Sequence, residues 1–115
     1  MSKREWRLFL EDMLESIGLL NNYVEGMEFS GFKKDRKTVD AVVRNLEIIG
    51  EASRFIPEPV KQKYLDVDWK GIIGLRNRIA HEYFGVDLAV IWNIVKQELP
   101  KLEAQVKHIL EKEKK

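Results

Sequence analysis

Apolar residues recur along this chain at alternating steps of three and four, the spacing that keeps side chains on one stripe of an α-helix. Trp6, Leu10, Met13, Ile17, Leu20, Val24 and Met27 form the first such stripe. Ser2 and Glu5 have the spacing of a capping box at its start, and Gly31 is a natural stop beyond its end. The basic segment Lys33–Lys37 then reads as a loop. A second stripe, Val39, Val42, Val43, Leu46 and Ile49, predicts a helix from about Thr38 to Phe55. Pro57 and Pro59 end that helix and open a short one toward Leu65. Asp68 caps a third main helix from Trp69 to about Phe84, which Gly85 ends. Asp87 caps the last helix, whose stripe is Leu88, Ile91, Val95, Leu99, Leu102, Val106 and Ile109, with a kink at Pro100. The charged tail, residues 110–115, is expected to fray.

No alternating run bounded by turn signals reads as a strand. The pattern therefore predicts an all-α fold, an up-and-down bundle of four to five helices with short connections. A chain of 115 residues holds one such domain, spanning 1–115. The first and last stripes are longer than one small core requires. Surplus apolar surface of that kind predicts a homodimer.

Composition narrows the function classes. With 44% hydrophobic and 34% charged residues the chain can bury a core, so it is not a disordered segment. Twenty basic and 19 acidic residues leave a net charge of +1, so no overall field steers nucleic acid toward it. Any RNA contact must come from a local patch. Without cysteine there is no disulfide, no thiol nucleophile and no thiolate metal site. The two histidines, His81 and His108, have no metal-ligand spacing, so neither a metal nor another cofactor is expected. Charges interrupt the apolar residues of the first 13 positions, which reads as neither a signal peptide nor a membrane anchor. A soluble cytoplasmic protein without membrane contact is the expectation.

The unusual stretch is Gly71-Ile-Ile-Gly-Leu-Arg-Asn-Arg-Ile-Ala-His-Glu-Tyr-Phe-Gly85. Glycines inside a helix each cost about 1 kcal/mol relative to alanine. Gly71 and Gly74 are tolerable there if another helix or a ligand backbone approaches closely. Arg76, Asn77, Arg78, His81 and Tyr83 crowd the same segment. Asn77 and His81, four apart, share a face, and Arg76 and Tyr83, seven apart, nearly align. A guanidinium, an amide and an imidazole on adjoining faces can act on one phosphate. The plainer reading is a solvated face, with a salt bridge to Glu82 or to another helix. On that reading His81 is a favourable charge at a helix C-terminus and Tyr83 an ordinary boundary residue. Arg44, Glu47, Glu51 and Arg54 also step at three and four. They are either a chain of intrahelical ion pairs or a supporting shell for Arg76.

Arg76-Asn77-Arg78-Ile79-Ala80-His81 resembles the HEPN signature, an arginine and a polar residue followed by a histidine after four intervening positions. The extension through Glu82 and Tyr83 resembles the longer motif of the HepT-like branch. Arg44-Asn45-Leu46-Glu47-Ile48-Ile49-Gly50-Glu51-Ala52 is similar to that family's second-helix segment. Gly71–Asn77 and Tyr83–Asp87 resemble its remaining hallmarks, and the likeness runs from the first helix through Leu110. The resemblance implies a dimeric helical domain with two motifs around one cleft, metal-independent cleavage of RNA, and a minimal nucleotidyltransferase antitoxin as partner. It implies Arg76, His81 and Asn77 as the catalytic group, with His81 as general acid or base, Arg76 on the phosphoryl charge and Asn77 orienting either. Tyr83 is then the site of adenylylation by the partner. Arg44, Glu47, Glu51 and Arg78 are the candidate supporting residues. A silent helical partner that binds a nucleotidyltransferase or a nucleotide without cutting RNA is the alternative, since related folds host both.

Overall fold

A computed structural model describes residues 5–81 and 87–114, without the side chain of His81. Among the described residues every regular element is helical. Helix α1 spans Trp6–Val24, with the Glu5 side chain accepting from the Arg7 amide at 3.1 Å. Ser2, expected to cap it, lies outside the described residues. The helix stops earlier than the apolar stripe suggests. Gly26 takes a left-handed backbone (φ 76°), so the chain turns there and not at Gly31, and Met27 packs on the core from beyond the helix.

The basic segment is also not a loop. A short helix α2 covers Phe29–Lys34, with Gly31 inside it, because Phe32 is fully buried and its ring lies 5.0 Å from that of Trp92. Asp35 then caps α3, Arg36–Arg54, its carboxylate accepting from the Thr38 amide at 3.1 Å and hydroxyl at 2.8 Å. A second short helix, α4, covers Glu58–Lys63 behind Pro57. Asp68 caps α5, Trp69–His81, through the Gly71 amide at 3.0 Å. The Trp69 indole N–H donates to the Tyr64 carbonyl at 3.0 Å and fixes the joint between α4 and α5. The expected continuation of α5 to Phe84 and Gly85 lies outside the described residues.

Asp87 caps α6, Leu88–Asn93, by accepting from the Ala89 amide at 2.8 Å. A wide π-helical turn, Ile94–Glu98, joins it to α7, Leu99–Lys112. The Leu99 amide reaches back five residues to the Ile94 carbonyl. Widening the turn there accommodates the amide that Pro100 lacks and the bulk of its ring. The irregularity predicted at Pro100 is therefore absorbed in the turn before it.

Helix α3 lies at the centre, packed against α1 on one side and α5 on the other, and α7 closes against α1. Leu10, Met13, Ile17 and Leu20 of α1 meet Val42, Leu46 and Ile49 of α3 and Ile91, Val95, Val106 and Ile109 of the last rod in one core. The all-α bundle expected from the stripes is present. The C-terminal turn is held down where its charge alone predicted fraying. Leu110 packs on the core, and Glu113 accepts from Lys63 Nζ at 2.7 Å and from the Tyr64 hydroxyl at 2.6 Å. Arg7 Nε donates to the Glu113 carbonyl at 2.6 Å. No described helix is long and apolar enough to cross a membrane.

Candidate active site

Helices α3 and α5 pack tightly at Gly50. A Cβ placed there would lie 2.2 Å from Arg76 Cβ, 2.9 Å from its Cγ and 3.1 Å from the Ile72 carbonyl oxygen. The root of the Arg76 side chain thus lies directly against Gly50, where any side chain on α3 would displace it. Gly71 and Gly74, where a close approach by another helix or a ligand backbone was allowed for, meet no other helix among the described residues. Gly71 makes room for the Asp68 capping carboxylate, 2.1 Å from where a Cβ would stand, and Gly74 faces open space.

One residue past Gly50, Glu51 Oε2 lies 2.9 Å from Arg76 Nε. That nitrogen is buried and its N–H is not aimed at the carboxylate, so the contact is an ion pair by proximity and not a directed hydrogen bond. Arg76 Nη1 donates to Asn77 Oδ1 at 3.1 Å. The Glu51 carboxylate is held from its other side by Arg54 Nη1, at 3.2 and 3.3 Å. One turn earlier Arg44 Nη1 donates to Glu47 Oε1 at 3.1 Å. Two intrahelical ion pairs are present, and one of their carboxylates also reaches across to Arg76.

These groups line a cleft of about 320 Å³ between α1, α3 and α5. Arg44, Glu47, Glu51 and Arg76 share it with Phe9 and Phe55, whose rings stack at 5.1 Å with an interplanar angle of 22°. Arg78 is exposed and does not line it. Asn77 is exposed at its edge through the bond to Arg76. His81 is the last residue of α5, but its side chain, like Tyr83, lies outside the described residues.

The ribonuclease HepT-like family model matches residues 13–109. The chain belongs to this family. A relative in Caldanaerobacter subterraneus subsp. tengcongensis, provisionally named as an RNase, is 45% identical over 108 residues, covering 94% of this chain and 96% of that one. A second provisionally named RNase, from Methanocaldococcus jannaschii, is 42% identical over 106 residues, covering 92% and 97%. A protein of Thermococcus cleftensis named probable ribonuclease HepT is 40% identical over 103 residues, covering 90% and 94%. No solved structure matches the chain.

In this HepT-like chain, reading the sequence alone missed Gly50, Phe9 and Phe55. The signal for Gly50 was present. It stands four residues after Leu46 and seven after Val43, on the buried stripe of α3, where a missing side chain implies close helix contact. Phe9 and Phe55 fall off both stripes. Nothing local indicates that α1 and α3 bring them together.

Proposed function

We propose that this chain is a metal-independent RNase in which Arg76 and His81 act on a phosphodiester. The observation that supports this most is the placement of Arg76: its side chain packs on Gly50 and its guanidinium lies between Glu51 and Asn77 at the cleft. An arginine oriented before substrate arrives loses little freedom on gripping a phosphate. In the reaction, the ribose 2′-hydroxyl attacks the adjacent phosphorus and its proton passes to an imidazole. The P–O5′ bond breaks, the 5′-oxygen takes a proton from an acid, and a 2′,3′-cyclic phosphate remains. His81 fits the proton transfers near neutral pH, and Arg76 the charge on the non-bridging oxygens.

Five residues of α-helix place Arg76 and His81 about 140° apart around α5, at 100° per residue. The two positions therefore start from different faces of the helix. A homodimer setting two motifs around one cleft resolves this, one histidine taking a proton while its mate gives one. The cognate partner would be a minimal nucleotidyltransferase antitoxin, making this the toxin of a cytoplasmic pair. Adenylylation of Tyr83 would add negative phosphate and a bulky base near Arg76, filling the cleft and competing for the guanidinium.

The test is cleavage of RNA by the purified protein in a chelator, with the cyclic phosphate end identified. His81→Ala and Arg76→Ala should each lower the rate by ~10²–10⁴-fold while keeping the helical signal. If His81→Ala cuts as fast as the parent, the mechanism is wrong. Tyr83→Phe should cut RNA yet resist silencing by the partner and ATP. Complete inhibition of the parent with no adenylate on Tyr83 by mass spectrometry would replace the switch with simple occlusion.

A second reading, a non-cutting helical partner of a nucleotidyltransferase or nucleotide, draws support from the Glu51 contact, which already offsets the Arg76 charge. Absence of cleavage by the parent, with the partner still bound, would favour it.

A further inference from the structure

The two guanidinium groups that line the cleft each have a carboxylate beside them: Arg44 has Glu47, and Arg76 has Glu51, which it shares with Arg54. Asp12 lines the same cleft. Phosphate attraction is therefore weak at this surface, and the net charge of +1 adds no long-range help. An RNase built this way needs another source of affinity.

Phe55 supplies a candidate. It is 53% exposed, unusual for a phenylalanine, and it sits where α3 ends. Its backbone is fixed: its amide donates to the Ala52 carbonyl at 3.1 Å, and the next residue, Ile56, is buried. Its ring is backed by Phe9 in a near-parallel stack. A flat, supported, solvent-facing ring loses little freedom when another flat ring covers it. Phe55 stands four residues after Glu51, a rise of about 6 Å along α3, and lines the same cleft as Glu51 and Arg76. That step is comparable to the span between a nucleotide's base and its own phosphate.

We propose that Phe55, backed by Phe9, is a base-stacking subsite for single-stranded RNA, seating an unpaired base beside the phosphate that Arg76 contacts. The proposal rests on the RNase reading and names its substrate class. Duplex RNA is excluded from such a platform because its bases are already stacked, whereas splayed bases are commonly read by aromatic rings. Most of the affinity then comes from stacking and little from counterion release, so binding depends only weakly on salt.

The probe is a short single-stranded 2′-O-methyl RNA, which lacks the attacking hydroxyl, carrying one 2-aminopurine whose fluorescence falls on stacking. The parent protein should bind it with quenching. Phe55→Ala should weaken binding roughly 5- to 150-fold, the range of one base–aromatic stack. Phe55→Trp should bind at least as well as the parent. Phe55→Leu, which keeps apolar bulk over Phe9 without a flat face, should lose affinity as alanine does. The logarithmic salt slope should be about −0.7 to −1.4, one or two phosphates' worth. Equal binding by parent and Phe55→Ala overturns the proposal, as does a parent that leaves the probe unquenched. It is also overturned if Phe55→Ala converts a dimer to a monomer in light scattering, for then the ring belongs to an interface between copies. Parallel assays on cleavable RNA separate the two readings. Phe55-dependent quenching without cutting keeps the subsite and removes the RNase, and cutting that ignores Phe55 does the reverse.

Discussion

At Gly50 the presence of hydrogen in place of a side chain sets the distance between α3 and α5, and so the depth at which Arg76 emerges. Alanine is the better helix former by about 1 kcal/mol, yet here its methyl would stand 2.2 Å from Arg76 Cβ, against ordinary carbon contacts of about 3.5–4.0 Å. That neighbour is the root of a side chain and cannot swing away, so the helices would have to separate. The clash outweighs the propensity gain. Gly50→Ala should destabilise by about 1–3 kcal/mol in urea unfolding and slow RNA cleavage as well. Gly74→Ala, with open space around the added methyl, should instead be neutral or stabilise by up to about 1 kcal/mol. If the two substitutions behave alike, the account of the close approach is wrong.

Among the elements, the end of α7 depends on charge. The Lys63 ammonium and then the Tyr64 hydroxyl hold the Glu113 carboxyl below its usual range, and Glu113 in turn pushes Lys63 and Tyr64 up from theirs. A depressed carboxyl contributes stability above the ordinary value of 4.5, which is lost as pH falls through the lower folded value. Raised groups contribute below 10.0 for Tyr64 and 10.5 for Lys63, and that contribution is lost at higher pH. Glu113→Gln should therefore lower Tm at pH 7, and the gap to the parent should close as pH drops below 4.5. A gap that stays constant on acidification would contradict the pairing. Glu113 also marks the boundary of what the sequence reveals at this scale. The stripes of α1, α3 and the last rod were legible because burial imposes their period, and Asp68 and Asp87 because a cap acts locally. The early stop at Gly26, the folding of the basic segment into α2 and the anchoring of the tail were not legible. Each depends on a distant partner: the core that receives Met27, Trp92 beneath Phe32, and Lys63 and Tyr64 against Glu113. The candidate site divides the same way. The motif on α5 was visible as spacing, while the Gly50 contact and the Phe9–Phe55 stack exist only once α1, α3 and α5 are assembled.

For the whole molecule, assembly bears directly on chemistry, since positions 76 and 81 lie about 140° apart around an α-helix. Light scattering at micromolar concentration should report a dimer, and a monomer would remove the shared cleft on which the acid–base division depends. Within one chain, a hydrogen bond ties Arg7 to Glu113, 106 residues apart. Its kinetic meaning follows from that separation. A contact closing so long a loop carries a large entropic cost before it returns anything, so it forms after the helices have nucleated and packed. Interactions absent from the transition state do not hasten folding; they slow escape from the native state. The joined ends of this bundle thus act on lifetime more than on speed of assembly.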